Sequence, residues 1–137
     1  MMKKNDSNIN SPQVLVSWGE LFDKITILQI KLDKLTSKNA LNNVGREFKQ
    51  LQSILIKDFP NSIEAKQLEE ELKQINQQLW DIEDNIRDKE RNRSFDDEFI
   101  QLARSVYIIN DERSRIKRKI NDIFGSEFVE EKSYSEY

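Results

Sequence analysis

Two stretches of this chain place an apolar residue in alternating steps of three and four without a slip, and that pattern leaves few folds open. Leu68, Leu72, Ile75, Leu79, Ile82 and Ile86 form one seam. Phe95, Phe99, Leu102, Val106, Ile109, Ile116, Ile120 and Ile123 form the other, broken only by Arg113. Such spacing puts each set on one side of an α-helix. At 1.5 Å per residue each helix would be ~45 Å long, and the short link between them forces an antiparallel turn-back. The expectation is an all-α fold: a long antiparallel helical hairpin packed with two shorter helices, bundle-like.

The punctuation supplies the boundaries. Ser17 followed by Glu20 is a capping-box pattern that starts a first helix. Its seam is Trp18, Leu21, Ile25, Leu28, Leu32 and Leu35, and a second face runs through Glu20, Asp23, Ile27 and Ile30. A helix apolar on two sides should be central and touch more than one neighbour. Leu41, Val44, Phe48, Leu51 and Leu55 mark a second helix that contains Gly45 and ends at Phe59-Pro60-Asn61. The third starts from Asn61 or Ser62 and runs to about Arg91. Asn92-Arg93 makes the turn, and Ser94 with Asp97 restarts the chain as the fourth helix, which Gly125 ends in a left-handed cap. The domain plan is a disordered arm over 1–13, a single helical domain over 14–125 and a C-terminal tail over 126–137, in which Phe128 and Val129 are the expected anchors.

The turn position also predicts a register, with Leu79 opposite Val106 and Ile82 opposite Leu102. It sets Glu69-Glu70-Glu71 across from the basic run Arg113 to Lys119. Read as structure, that run complements a helix C-terminus; read functionally, it is a phosphate patch.

Composition narrows the chemistry. There is no Cys and no His, which removes thiolate catalysis and the commonest general base and metal ligand. Mg²⁺, bound by carboxylates, is the one metal left to consider. A formal net charge of -3 gives no case for nucleic-acid binding. No long apolar run and no apolar stretch behind Lys3-Lys4 are present, so neither a membrane span nor a signal peptide is expected, and the cytoplasm is the expected location.

Three features could carry chemistry. Arg113 occupies a seam position and needs a carboxylate, with Glu69 and Glu71 nearest by register; it either fixes register or grips a ligand. Asn76, Trp80, Glu83 and Arg87 form a stripe beside the third helix's seam. Ala103, Tyr107, Asn110 and Lys117, with Asp111 at the edge, form its counterpart, and Glu20 and Asp23 could join from the first helix. Aromatic rings among acids, an amide and arginines suit either a small polar ligand or a hydrogen-bonded helix interface. Glu20-x-x-Asp23 and Asp81-x-x-Asp84 are carboxylate pairs that could hold Mg²⁺ if they faced each other, although Asp81 and Asp84 lie off the seam and first-turn acids have a dipole explanation.

Four motifs in order carry a family resemblance: Val16-Ser17-Trp18-Gly19-Glu20-Leu21-Phe22-Asp23-Lys24-Ile25; Leu79-Trp80-Asp81-Ile82-Glu83-Asp84; Leu102-Ala103-Arg104-Ser105-Val106-Tyr107 with Asn110-Asp111-x-Arg113; and Gly125-Ser126 with Glu130-Glu131-Lys132-Ser133-Tyr134. Over residues 14–134 the chain resembles an uncharacterised family of short bacterial and phage proteins. The resemblance implies a setting near glycosyltransferases of cell-surface polysaccharide assembly, and assigns no catalytic residues. Taken together, the expectation is a helical binding or adaptor protein, homodimeric, with a protein partner or a small polar ligand and no activity of its own. The rival is a small enzyme acting on a phosphorylated or nucleotide-sugar substrate, with Glu83 or Asp111 as acid or base, Arg87 and Arg113 as anion clamps and Mg²⁺ as an optional cofactor.

Overall fold

The computed structural model describes residues 10–58 and 62–137, with backbone alone over 56–58. Four helices are described: α1 (Trp18–Lys34), α2 (Lys38–Asp58), α3 (Ile63–Arg91) and α4 (Asp97–Phe124). The all-α hairpin expectation holds. The longest helices are α3 and α4, and they pack against each other most closely. The second-helix stop at Phe59-Pro60-Asn61 and the arm over residues 1–9 lie outside the described residues. Residues 10–13 are exposed and carry no regular structure.

The first helix is central, as its two apolar faces required: α1 packs on α2, α3 and α4. The core joins Leu21, Phe22 and Ile25 of α1 with Leu55 of α2, Leu68 and Leu72 of α3, and Ile116 and Ile120 of α4. Burying each of Phe22, Ile25, Leu72 and Ile120 in full contributes about 1.5–3 kcal/mol. The Trp18 and Phe22 rings close one end against Phe124, at 5.0 and 5.7 Å between centroids. This core lies at the open end of the hairpin, away from its turn. From Gln77 to Arg115 no residue is fully buried, so the outer half of both seams is only partly covered.

The caps show where local chemistry was read correctly and where it was not. Ser17 caps α1, its hydroxyl accepting from the Glu20 N–H at 3.1 Å, and Ser62 caps α3 through the Ala65 N–H. The reciprocal half of the capping box does not form, because the Glu20 carboxylate is taken by Lys117. The fourth helix is capped by Asp96 instead of Ser94. The reason lies in the turn. Arg93 adopts a left-handed backbone (φ 54°), its N–H donates to the Glu90 carbonyl, and the Ser94 N–H donates to Lys89, the closing pattern of a Schellman motif. Ser94 is spent ending α3, so α4 starts two residues later. Arg93→Gly removes the Cβ penalty of that conformation and should raise stability by about 0.5–1 kcal/mol, read as a higher urea midpoint at unchanged slope.

Candidate functional site

The first turn of α1 crosses the last turns of α4 at very close range. A Cβ at Gly19 would lie 2.5 Å from the Lys117 carbonyl oxygen and 2.9 Å from Asn121 Oδ1, so only glycine fits. That closeness lets α4 satisfy the N–H groups that a helix start leaves unpaired. The Gly19 N–H donates to Asn121 Oδ1 at 2.7 Å, and the Trp18 N–H donates to the Ser126 hydroxyl at 3.0 Å. Ser126 in turn donates to Asn121 Oδ1. Gly125, left-handed as expected (φ 61°), turns the chain so that Ser126 reaches this position.

One turn further along, Lys117 fills the space between α1, α4 and the tail. It is only 5% exposed. Its ammonium donates to Glu20 at 2.9 Å and to Glu130 at 3.1 Å, and lies 3.8 Å from Asp23. Burial pulls the Lys117 pKa down, but hydrogen bonds to Glu20 and Glu130 and the charge of Asp23 outweigh it and hold the group above the ordinary lysine value. Glu130 is held below its ordinary value, chiefly by the hydrogen bond from Lys117. Asp23, also buried, accepts from the Asn76 amide at 2.9 Å and sits 3.9 Å from the Arg113 guanidinium. The same amide donates to Thr26 Oγ1, which itself donates to the Asp23 carbonyl. Two cations, Lys117 and Arg113, thus face three carboxylates from two separate elements, and Lys117 is kept charged. That is the opposite of the neutral amine a nucleophile requires.

The polar residues singled out in the sequence divide into three places. Glu20, Asp23 and Arg113 meet at this junction. Glu83 and Arg87 pair with each other at 3.2 Å on the exposed side of α3, four residues apart. Tyr107 and Asp111 face the tail: the Tyr107 and Tyr137 rings meet edge to face at 5.1 Å, and the Tyr137 hydroxyl donates to Asp111 at 2.6 Å. An open cleft of about 600 Å³ lies there, lined by Tyr107, Asp111, Lys132, Tyr134 and Tyr137. Trp80 and Asn110 are partly buried.

Two expected pairings take other partners. Arg113 is nearest Asp23, not Glu69 or Glu71. Among the described residues the basic run pairs with Asp23, Glu20, Glu112 and the tail, with no ion pair to Glu69, Glu70 or Glu71. Burial raises the Glu69 pKa first, with Glu70 adding to it. The carboxylate pairs do not face each other either: Asp81 and Asp84 are exposed on α3 and Asp81 accepts from Gln77, while Asp23 turns to Asn76. No group of three or more acidic residues among those described could hold a metal ion. Seam spacing carries no signal for the parts that Gly19, Asn121, Ser126 and Glu130 play here. A glycine in the first turn behind a capping serine, and a serine just past a glycine cap, were the available signals.

Fold and junction define an all-helical protein whose polar centre docks one helix end and a tail onto a long hairpin. No helix among the described residues is long and apolar enough to cross a membrane. The chain belongs to a family of unknown function, DUF6165, whose model matches residues 12–137. No curated protein and no solved structure matches it.

Proposed function

We propose that this protein is a non-catalytic binding or adaptor protein that pairs with a second copy of itself through the outer half of its hairpin. The observation that carries the reading is the uneven burial of the two seams. Leu68, Leu72, Ile116 and Ile120 are buried at the open end, whereas Leu79, Ile82, Ile86, Phe99, Leu102, Val106 and Ile109 are all partly exposed. Their cover is incomplete because α1 is short. Thr26 lies level with Asn76, and Lys34 is ~12 Å further on, whereas α3 continues ~22 Å beyond Asn76. A symmetric partner presents the same stripe and completes a four-helix arm without needing a complementary shape from elsewhere.

The separation of Glu83 and Arg87 from Tyr107 and Asp111 supports the non-catalytic side of this reading over a carboxylate and arginine pocket. A setting in cell-surface polysaccharide assembly rests on the family resemblance alone. Sedimentation velocity at micromolar concentration should give a dimer, and Leu102→Asp should give a monomer of unchanged helicity; a monomeric wild type overturns the pairing. Thermal shift with Mg²⁺, nucleotides, nucleotide-sugars and sugar phosphates should show no response. A stabilisation lost in Glu83→Gln and kept in a surface charge variant would favour the enzyme instead.

A further inference from the structure

The tail after Gly125 does not wander. It runs back along α4, and its carboxylates lie on a cationic strip. Glu130 takes Lys117 at 3.1 Å, the Glu130 carbonyl accepts from Arg118 at 3.1 Å, and Glu131 accepts from Arg118 at 2.8 Å. Six residues beyond Glu131, the Tyr137 ring and hydroxyl engage Tyr107 and Asp111. The expected apolar anchors are not used, since Phe128 and Val129 stay 49% and 42% exposed. Apart from Glu130's bond to the buried Lys117, each of these contacts is an exposed ion pair or a surface ring contact of small net value, so most of the segment is held weakly.

Charge balance makes its departure easy. With the tail lifted, Lys117 and Arg113 still face Glu20 and Asp23, two charges against two, so the buried junction remains neutral. What opens is the Arg118 guanidinium, whose hydrogen bonds go to the tail, and one side of Lys117; with the tail in place a cleft of about 200 Å³ already separates it in part from α4, lined by Ser114, Arg118 and Asn121 on one side and Glu130 and Glu131 on the other. We propose that this face of α4, from Asn121 back to Tyr107, is a docking site for an extended acidic segment of a partner protein, and that the tail is its built-in competitor. The ligand chemistry is two adjacent carboxylates followed about six residues later by an aromatic hydroxyl, as the tail itself displays. The site is separate from the outer hairpin seam and does not depend on self-pairing there.

The test uses a fluorescein-labelled peptide of residues 126–137 as the probe, in fluorescence anisotropy with the full chain. The wild type, whose own tail competes at high local concentration, should bind it weakly. The variant Glu130→Gln/Glu131→Gln should bind it about ten-fold or more tightly, less so as salt rises. Adding Arg118→Glu should abolish that gain, and a peptide carrying Gln at both acidic positions should not bind. Both tail positions are substantially exposed, and a circular-dichroism melt of the variant should match the wild type. Equal binding by wild type and variant overturns the proposal. So does a wild-type dimer that dissociates in Glu130→Gln/Glu131→Gln, which would assign the site to a second copy's tail. If the tail variant melts early, wild-type tail amide resonances that shift to disordered positions on adding excess peptide decide for the site, and unmoved resonances decide against it.

Discussion

Gly19→Ala should cost about 3 kcal/mol of stability, an unusually large effect for adding one methyl group. The new Cβ would meet the Lys117 carbonyl oxygen at 2.5 Å, and backbone cannot rotate away as a flexible side chain would. Overpacking alone costs about 1–3 kcal/mol. Moving α1 outward to relieve it breaks the Gly19–Asn121 and Trp18–Ser126 hydrogen bonds together, and loss of a helix cap adds about 1 kcal/mol. The melting temperature followed by circular dichroism should fall by ~10 °C. Helical content below the transition should stay near that of the wild type. In contrast, Gly45→Ala has open space at its Cβ and should stabilise α2 by up to about 1 kcal/mol. If Gly19→Ala were as harmless, the close crossing of α1 and α4 would be wrong.

The second large effect is expected at Lys117. Lys117→Met keeps the length of the side chain and removes its charge, leaving buried Asp23 with the Asn76 amide and a guanidinium 3.9 Å away. Breaking a buried ion pair from one side costs about 3–5 kcal/mol, because the remaining charge stays desolvated. The double variant Lys117→Met/Asp23→Asn should recover a substantial part of this loss, since no uncompensated buried charge remains between them. Chemical denaturation of the two single variants and the double measures the coupling. Simple additivity would mean that the two groups do not interact. Removing Glu20 or Glu130 should cost much less, since both are more exposed.

Much of the architecture was legible because it is local. Alternating steps of three and four place α3 and α4, and the two-sided pattern of Leu21, Ile25, Leu28 and Ile30 identifies α1 as the central helix. Ser17, Ser62 and Gly125 mark ends because a hydroxyl cap or a positive φ is a property of one residue and its next few neighbours. The Ser94 cap failed at the one place where two local rules competed, since the same residue was needed to close the helix before it.

The candidate site was legible only in its parts. Glu20, Asp23 and Arg113 were recognised as polar residues on inward faces, and they do meet. The stripe that holds Asn76 and Lys117 does meet Glu20 and Asp23, but the register also sets Arg113 and Lys117 against Glu69 to Glu71, and there they turn instead to α1 and the tail. Periodicity states the angle at which a side chain leaves its own helix axis and is silent on which neighbour stands at that angle. Lys117 lies one residue off the α4 seam, a direction that α3 does not occupy and α1 does.

Spacing and capping residues therefore establish on their own a long helical hairpin, its turn, the starts of α1 and α3, the end of α4 and a central first helix. Which half of the hairpin is buried, and what Lys117 holds, were settled by contacts between residues far apart in the chain. Gly19 meets Asn121 across 102 positions, and Glu20 meets Lys117 across 97. Such contacts depend on where three helices and a tail come to rest together, and a pattern that repeats every seven residues carries no record of that.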